Sequence, residues 1–256
     1  LEPDDPLLIA IQQRFANLEV EAGNLDRARV LANDFLVSSE RAFGTRSESY
    51  RQASQLLGDI RRQQGDLAQA DSLFSCSIAA APSGKDRDTD DILRSTLQSR
   101  ALAREATGRW TEAIADLREA RAIAVHTYDS MHYTVARADL LLAEAHLGAG
   151  DPAAALVRVR EAMRIVEDRI HALQADMVPH AFPGPELLSD AFYWKVIAER
   201  ALSGKTFNTE WNVDLDLAIT SLARNKAGVE DEAGKLLLVA SQERLFDLAV
   251  DLAYEG

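Results

Sequence analysis

Apolar positions recur at helical spacing along most of the chain, in runs separated by short polar breaks. Leu31, Phe35 and Leu36 share one helix face, as do Leu56, Leu57 and Ile60, and then Leu67, Leu73, Phe74 and Ile78. The breaks carry a common figure, in which a small residue is followed by Gly seven positions later and by Ala five beyond that. It reads Ala16–Gly23–Ala28, Gly58–Gly65–Ala70, Ala101–Gly108–Ala113 and Ala143–Gly150–Ala155, with Gly-to-Gly spacings of 42, 43 and 42 residues. A three-point pattern that recurs at a constant period identifies a repeat array.

The figure predicts a helix–turn–helix unit. Each Gly ends one helix by adopting a left-handed conformation that a Cβ would penalise. Asn24, Asp66 and Asp151 stand where a side-chain oxygen can cap the next helix, and Pro152 suits a first turn; Arg109 is the poorer cap. The small residues let two antiparallel helices approach closely. Such a pair cannot bury its apolar face alone and must stack on its neighbours.

In chain order, residues 1–6 form an acidic leader and 7–173 hold four repeats. Their helices run from about Leu7 to Ala22 and Leu25 to Ala42, then through Glu48–Ala81, Thr89–His126 and Met131–Leu173. Aligning the repeats on Gly also sets Gly44 opposite Asp129, Ser47 opposite His132 and Ala53 opposite Ala138, an agreement not used to find the period. Residues 174–185 read as a loop, because Pro179, Pro183 and Pro185 cannot continue a helix. Beyond it, 186–256 reads as degenerate repeats. A helix runs from Glu186 to Ser203, its partner from Leu215 to Asn225, and an insertion between them carries Phe207 and Trp211. A last helix covers about Glu232–Glu255. The spacing from Ala249 to Gly256 makes Gly256 the turn glycine of a sixth repeat, which implies truncation mid-repeat and a longer natural protein.

These features resemble the tetratricopeptide repeat, whose usual period of about 34 residues is lengthened here. The 42-residue period and turns such as Phe43-Gly44-Thr45-Arg46-Ser47 look like the kinesin-light-chain variety, with His132 at the His of its Gly-x-x-His turn. The resemblance implies an all-α, right-handed superhelical solenoid of antiparallel helix pairs. The tail, Ala218–Leu222 through Val229 and Val239–Leu252, is similar to the segment ahead of the peptidase domain in bacterial tetratricopeptide–CHAT proteins. That implies a regulatory array with a covalently attached, caspase-like effector beyond Gly256; the peptidase's own His and Cys have no counterparts here.

Composition narrows the function classes. A net charge of −13 with five Lys argues against nucleic-acid binding, which needs clustered basic residues. No stretch approaches the ~18 apolar residues of a membrane span, and a cytoplasmic location is the expectation. The single Cys76 excludes an internal disulfide and is expected as a small buried thiol in its helix. His126 and His132 flank a turn without the carboxylate spacing of a metal enzyme, His146 can face the groove, and His180 sits in the Pro-rich loop. Trp110 packs at a turn. No catalytic set, metal site or cofactor is expected.

The remaining signal is the groove. In the resembled family the first helix of each repeat lines a concave surface. Here the residue three before the small position is Gln13, Gln55, Gln98 or Leu140, and the one after it is Asn17, Asp59, Leu102 or Glu144. Gln13, Asn17, Gln55, Asp59 and Gln98 are therefore the groove candidates, suited to hydrogen-bonding the backbone of an extended peptide. With no Lys there, a Lys-based clamp for chaperone tails is not expected. The run Phe192–Tyr193–Trp194 is a candidate contact surface, with two rings buried and one exposed. The expected function is recognition of a peptide or partner domain without catalysis. The alternative is a ligand-sensing helical-repeat domain of a bacterial regulator or signalling protein, for which a closed pocket near Phe192–Trp194 would speak.

Overall fold

Four turns built on identical hydrogen bonds punctuate the chain. Gly23, Gly65, Gly108 and Gly150 take φ of 74°, 83°, 74° and 78°. In each turn the Gly N–H donates three residues back, and the next N–H donates five back. Gly23 reaches the Val20 carbonyl at 3.0 Å and Asn24 that of Glu19 at 2.8 Å, and Gly150 and Asp151 repeat this at 2.9 and 2.8 Å. This pair of hydrogen bonds closes the helix end and satisfies carbonyls that would otherwise be orphaned.

The structure, a computed structural model, describes residues 5–81, 87–176, 184–203, 211, 213–215 and 243–252, with side chains at 87–90, 169–176 and 184–186 excepted. Among these residues there is no strand. The helices are α1 (Pro6–Glu21), α2 (Leu25–Phe43), α3 (Glu48–Gln63), α4 (Leu67–Ala79), α5 (Arg87–Glu105), α6 (Trp110–Tyr128), α7 (Tyr133–Gly148), α8 (Pro152–Asp176) and α9 (Gly184–Leu202). A further helical stretch covers 243–252. Two compact units divide the chain, Leu1–Thr127 and Tyr128–Gly256.

In the N-terminal unit, α1 packs on α2 and α3 on α4, while α2 packs on α3 and α4 on α5; the first helices α1, α3 and α5 also touch in sequence. The small positions are what permit this. Ala16, Ala28, Ala70, Ala101 and Ala113 are wholly buried, as are Ala143 and Ala155 in the C-terminal unit. Around Ala16 and Ala28, the residues Ala32, Leu57 and Ile60 make one core cluster, and Ile9, Phe35 and Ala53 make another. In the C-terminal unit α7 packs on α8, and α8 and α7 both pack on α9. Its core gathers Phe192, Val196, Trp211, Leu215, Leu245, Leu248 and Leu252, so Trp211, from the expected insertion, is a core residue. Its indole N–H donates to Glu199 at 3.0 Å.

Several local expectations meet corrections. Asp66 and Asp151 cap their helices, accepting from the Gln69 and Ala154 N–H groups at 3.3 and 3.0 Å. Asn24 does not cap; its Nδ2 donates instead to Glu19 at 2.8 Å, which turns the side chain back toward α1. Helix α8 continues to Asp176, past the expected end at Leu173, and α9 begins at Gly184 inside the expected loop. His180, Phe207, Asp216–Asn225, Gly204, Gly256 and most of the last repeat lie outside the described residues.

The inter-repeat turns agree in detail. Ser47 caps α3, accepting from Tyr50 N–H at 3.2 Å, and His132 caps α7, accepting from Thr134 N–H at 3.3 Å. Opposite Gly44, with φ of 80°, stands Asp129, with φ of 99°. Its carboxylate accepts from Met131 N–H at 2.6 Å, which holds an otherwise unfavourable backbone. Asp129→Ala keeps the strained φ and loses that bond, so thermal unfolding should show a loss of about 1–2 kcal/mol. Asp129→Gly should be nearly neutral.

Candidate binding surface

The groove candidates fall on the first helices α1, α3 and α5 of the N-terminal unit, and three of them already bridge to the next first helix. Gln13 Nε2 donates to Gln52 Oε1 at 3.2 Å, and Gln55 Nε2 donates to Ser95 Oγ at 2.9 Å. Asp59 bonds Ser99 and lies 3.8 Å from the Arg62 guanidinium. A polar seam therefore runs across the three helices, with Asn17 exposed at its start. Residues three or four apart on each helix share a face, which is why the register read from the sequence brings these side chains together.

The seam has unfilled hydrogen-bonding capacity. Gln98 Oε1 accepts from Arg94 at 3.3 Å, but its Nε2 is buried and has no acceptor among the described residues. Burial pushes the Asp59 carboxyl above the ordinary Asp value, with Ser99 and Arg62 offsetting only part of that. A half-satisfied buried network is costly unless something completes it.

In the C-terminal unit the equivalent positions are Leu140, which is buried, and Glu144. Burial raises the Glu144 carboxyl and that of Asp190 on α9, while Arg244 on the 243–252 helix counters both. Arg244 bonds Asp190 at 2.7 Å and sits 5.3 Å over the Tyr193 ring, which meets Trp194 edge-on at 4.9 Å. Of the aromatic run, Phe192 is in the core, whereas Tyr193 and Trp194 are both half-buried. A cleft of about 510 Å³ lies at the α1–α2 turn, lined by Gly23, Asn24, Leu25, Asp26, Arg27 and Gln64.

Cys76 corrects its expectation, since it is exposed. On α4 the inward line is Ala70, Phe74 and Ser77, spaced four and three apart; Cys76, two beyond Phe74, is turned to the opposite side. His146 is buried beside its turn, 3.9 Å from Asp151, and His132 stacks on Tyr128 at 4.6 Å. His126 is exposed and Trp110 half-buried. No group of three or more His, Cys, Asp or Glu among the described residues could hold a metal ion. No helix among them is long and apolar enough to cross a membrane.

Sequence reading missed a charge network between α4, α5 and α6. Asp116 receives Arg100 through two bonds of 2.7 and 2.9 Å and Arg104 at 2.8 Å. Arg104 and Arg109 both reach Asp71, at 2.9 and 3.0 Å, and Arg109 also pairs with Glu112 at 2.6 Å. The signal available was Arg100 and Arg104 at helical i,i+4 spacing, beside an Asp in the middle of an otherwise apolar helix face.

These repeats, turns and small-residue contacts decide the comparison with known proteins. Residues 91–168 match the tetratricopeptide repeat model. Among solved structures, the kinesin light chain nearly identical TPR-like repeats of Podosopora anserina superpose with a TM-score of 0.64 at 19% identity, covering 88% of this chain and 99% of that one. BtubC (BKLC) from P. vanneervenii superposes with a TM-score of 0.71 at 15% identity, over 89% of this chain and 86% of that one. No curated protein matches. The chain thus has an all-α helical-repeat solenoid fold, like that of these kinesin-light-chain-like tetratricopeptide arrays.

Proposed function

We propose that this chain is a recognition array that holds an extended peptide or a partner's segment along the first-helix seam of its N-terminal unit. The supporting observation is the buried Gln98 amide without an acceptor, in line with Gln13, Gln55 and Asp59. A glutamine offers both a donor and an acceptor, which is the complement of one peptide unit. A backbone carbonyl supplied by a bound chain would take the Gln98 N–H once the half-buried side chain turns its amide outward, and a backbone N–H would stabilise the Asp59 carboxylate. Recognition through backbone groups is tolerant of sequence, so side-chain selectivity falls to the seam's neighbours, Asn17 and Arg94.

In this reading the array is regulatory. The likeness of Ala218–Leu252 to the segment ahead of a caspase-like domain supports an attached effector, and the lack of a membrane-spanning helix among the described residues is compatible with work in the cytoplasm. Peptides selected on the parent from a displayed random library should bind the Gln55→Arg/Gln98→Arg variant at least about tenfold more weakly, a loss of ~1.4 kcal/mol. Equal affinity by fluorescence anisotropy would refute the seam as the binding surface.

A further inference from the structure

The polar seam has a period as well as a chemistry. Gln13, Gln55 and Gln98 stand at the same register position on α1, α3 and α5, and all three are half-buried. Gln13 and Gln55 reach Gln52 and Ser95 on the next first helix directly, at 3.2 and 2.9 Å, so consecutive first helices lie side by side. Helices in such contact have axes about 8–10 Å apart. The seam is therefore a ladder of three amide rungs. Each bridge uses one N–H of an amide that carries two, together with a carbonyl that can accept twice. Gln98 Nε2 has no acceptor among the described residues.

A chain that crosses the rungs can engage all three only if its backbone repeats at their spacing. A β-strand returns the same edge every second residue, after about 6.6–6.8 Å, and is out of step by the second rung. Three strand residues cover about 10 Å but present the opposite edge. An α-helix has already spent its backbone groups on itself. A polyproline II helix has three residues per turn and a rise of about 3.1 Å, so it returns the same face after about 9.3 Å. It makes no internal hydrogen bonds, which leaves its N–H and C=O groups open to the amides.

We infer that the seam takes a proline-rich segment of a partner protein in the polyproline II conformation, laid across α1, α3 and α5 with three residues from each rung to the next. The inference rests on the seam being the binding surface. One residue in three faces a rung and keeps its N–H; the other two accept proline, whose missing N–H is not needed there. Leu56 follows Gln55, and Leu102 lies one turn beyond Gln98; both are half-buried and offer pyrrolidine rings an apolar surface beside the amides. A segment already held in this conformation also loses less freedom on binding than a flexible one.

Labelled twelve-residue peptides, measured by fluorescence anisotropy on the parent protein, test the match. Repeated Ala-Pro-Pro should bind at least about tenfold more tightly than repeated Ala-Ser-Ser, which has every N–H but no preset conformation. Repeated Ala-Pro keeps the conformation but spaces its N–H groups by two, so proline meets the middle rung and affinity should fall about threefold or more. Equal or reversed affinity within the first pair overturns the inference in favour of a strand-like or flexible ligand, and so does a failure of Ala-Pro-Pro to bind. A preference for Ala-Pro-Pro that survives in Gln55→Arg/Gln98→Arg overturns it as well, because the peptide then sits elsewhere. The peptides selected from a random library separate the two readings. If the double variant loses them while Ala-Pro-Pro fails to bind the parent, the seam stands and only the conformation is wrong. If the variant binds them as the parent does, the seam falls and this inference falls with it.

Discussion

Asp116→Ala should destabilise the N-terminal unit by about 3–5 kcal/mol, the usual penalty for removing one partner of a buried charge cluster. Asp116 is 4% exposed on α6, and its two oxygens take three guanidinium hydrogen bonds from Arg100 and Arg104. The arginine side chains are themselves only 15% and 12% exposed, so water cannot replace the lost carboxylate. Arg104 retains Asp71, whereas Arg100 is left with the Ser75 hydroxyl at 3.0 Å. Asp116→Asn preserves the shape but not the charge and should fall between Ala and the parent. Urea unfolding, followed by circular dichroism, measures all three. Glu112→Ala removes only the solvent-facing arm of the network, where ion pairs contribute little, and should leave the midpoint unchanged.

The same network sets a pH dependence. Burial by itself would push the Asp71 carboxyl up, but hydrogen bonds from Arg109 and Arg104 and their charges outweigh it and hold the group below the ordinary Asp value. A carboxyl depressed in the folded state stabilises the fold at any pH above its unfolded value. That contribution is lost as the pH falls from the unfolded value through the folded one. Asp59 works in the opposite sense. Its carboxyl is raised by burial, so it favours unfolding once the pH exceeds the ordinary Asp value, and Asp59→Asn should relieve this at neutral pH.

How far these features could be read from the chain follows from their range. The turn glycines, the small helix-contact positions and the pairing of Gly44 with Asp129 were legible because each depends on a few residues at fixed offsets. Asp129 is the informative case: register alone placed a non-glycine residue where positive φ was required, and its carboxylate supplies the compensation. Cys76 was misread because its helix has a narrow inward line, and two positions along from Phe74 is enough to leave it. The end of α8 was misread because prolines mark where a helix cannot run but not how closely it approaches them. The network around Asp116 joins three helices, and spacing within one helix shows only half of such a pair. The glutamine row was legible as a row. That Gln13 and Gln55 already bridge to Gln52 and Ser95 was not, because those partners lie 39 and 40 residues away.

Gly58→Val should cost about 2–3 kcal/mol through overpacking, and the reason lies across the helix pair. Gly58 is the only glycine among the four small positions of the first helices, the others being Ala16, Ala101 and Ala143. A Cβ at Gly58 would stand 2.6 Å from Phe74 Cε1 and 2.8 Å from Cδ1, and Phe74 is fully buried, with no room to swing aside. In the other repeats the register equivalents of Phe74 are Ala32, Leu117 and Val159, all smaller and all buried. The chain thus holds the helix separation by trading size across the contact, Gly against Phe in one repeat and Ala against a smaller residue elsewhere. A double-mutant cycle isolates that trade. Gly58→Ala alone should destabilise, because the clash exceeds the gain of ~1 kcal/mol in helix propensity. In a Phe74→Leu background, which reproduces the third repeat's pairing of Ala101 with Leu117, the same change should stabilise. The sign of the Gly58→Ala effect must therefore reverse between the two backgrounds. If it is the same in both, the glycine reflects something other than the Phe74 ring.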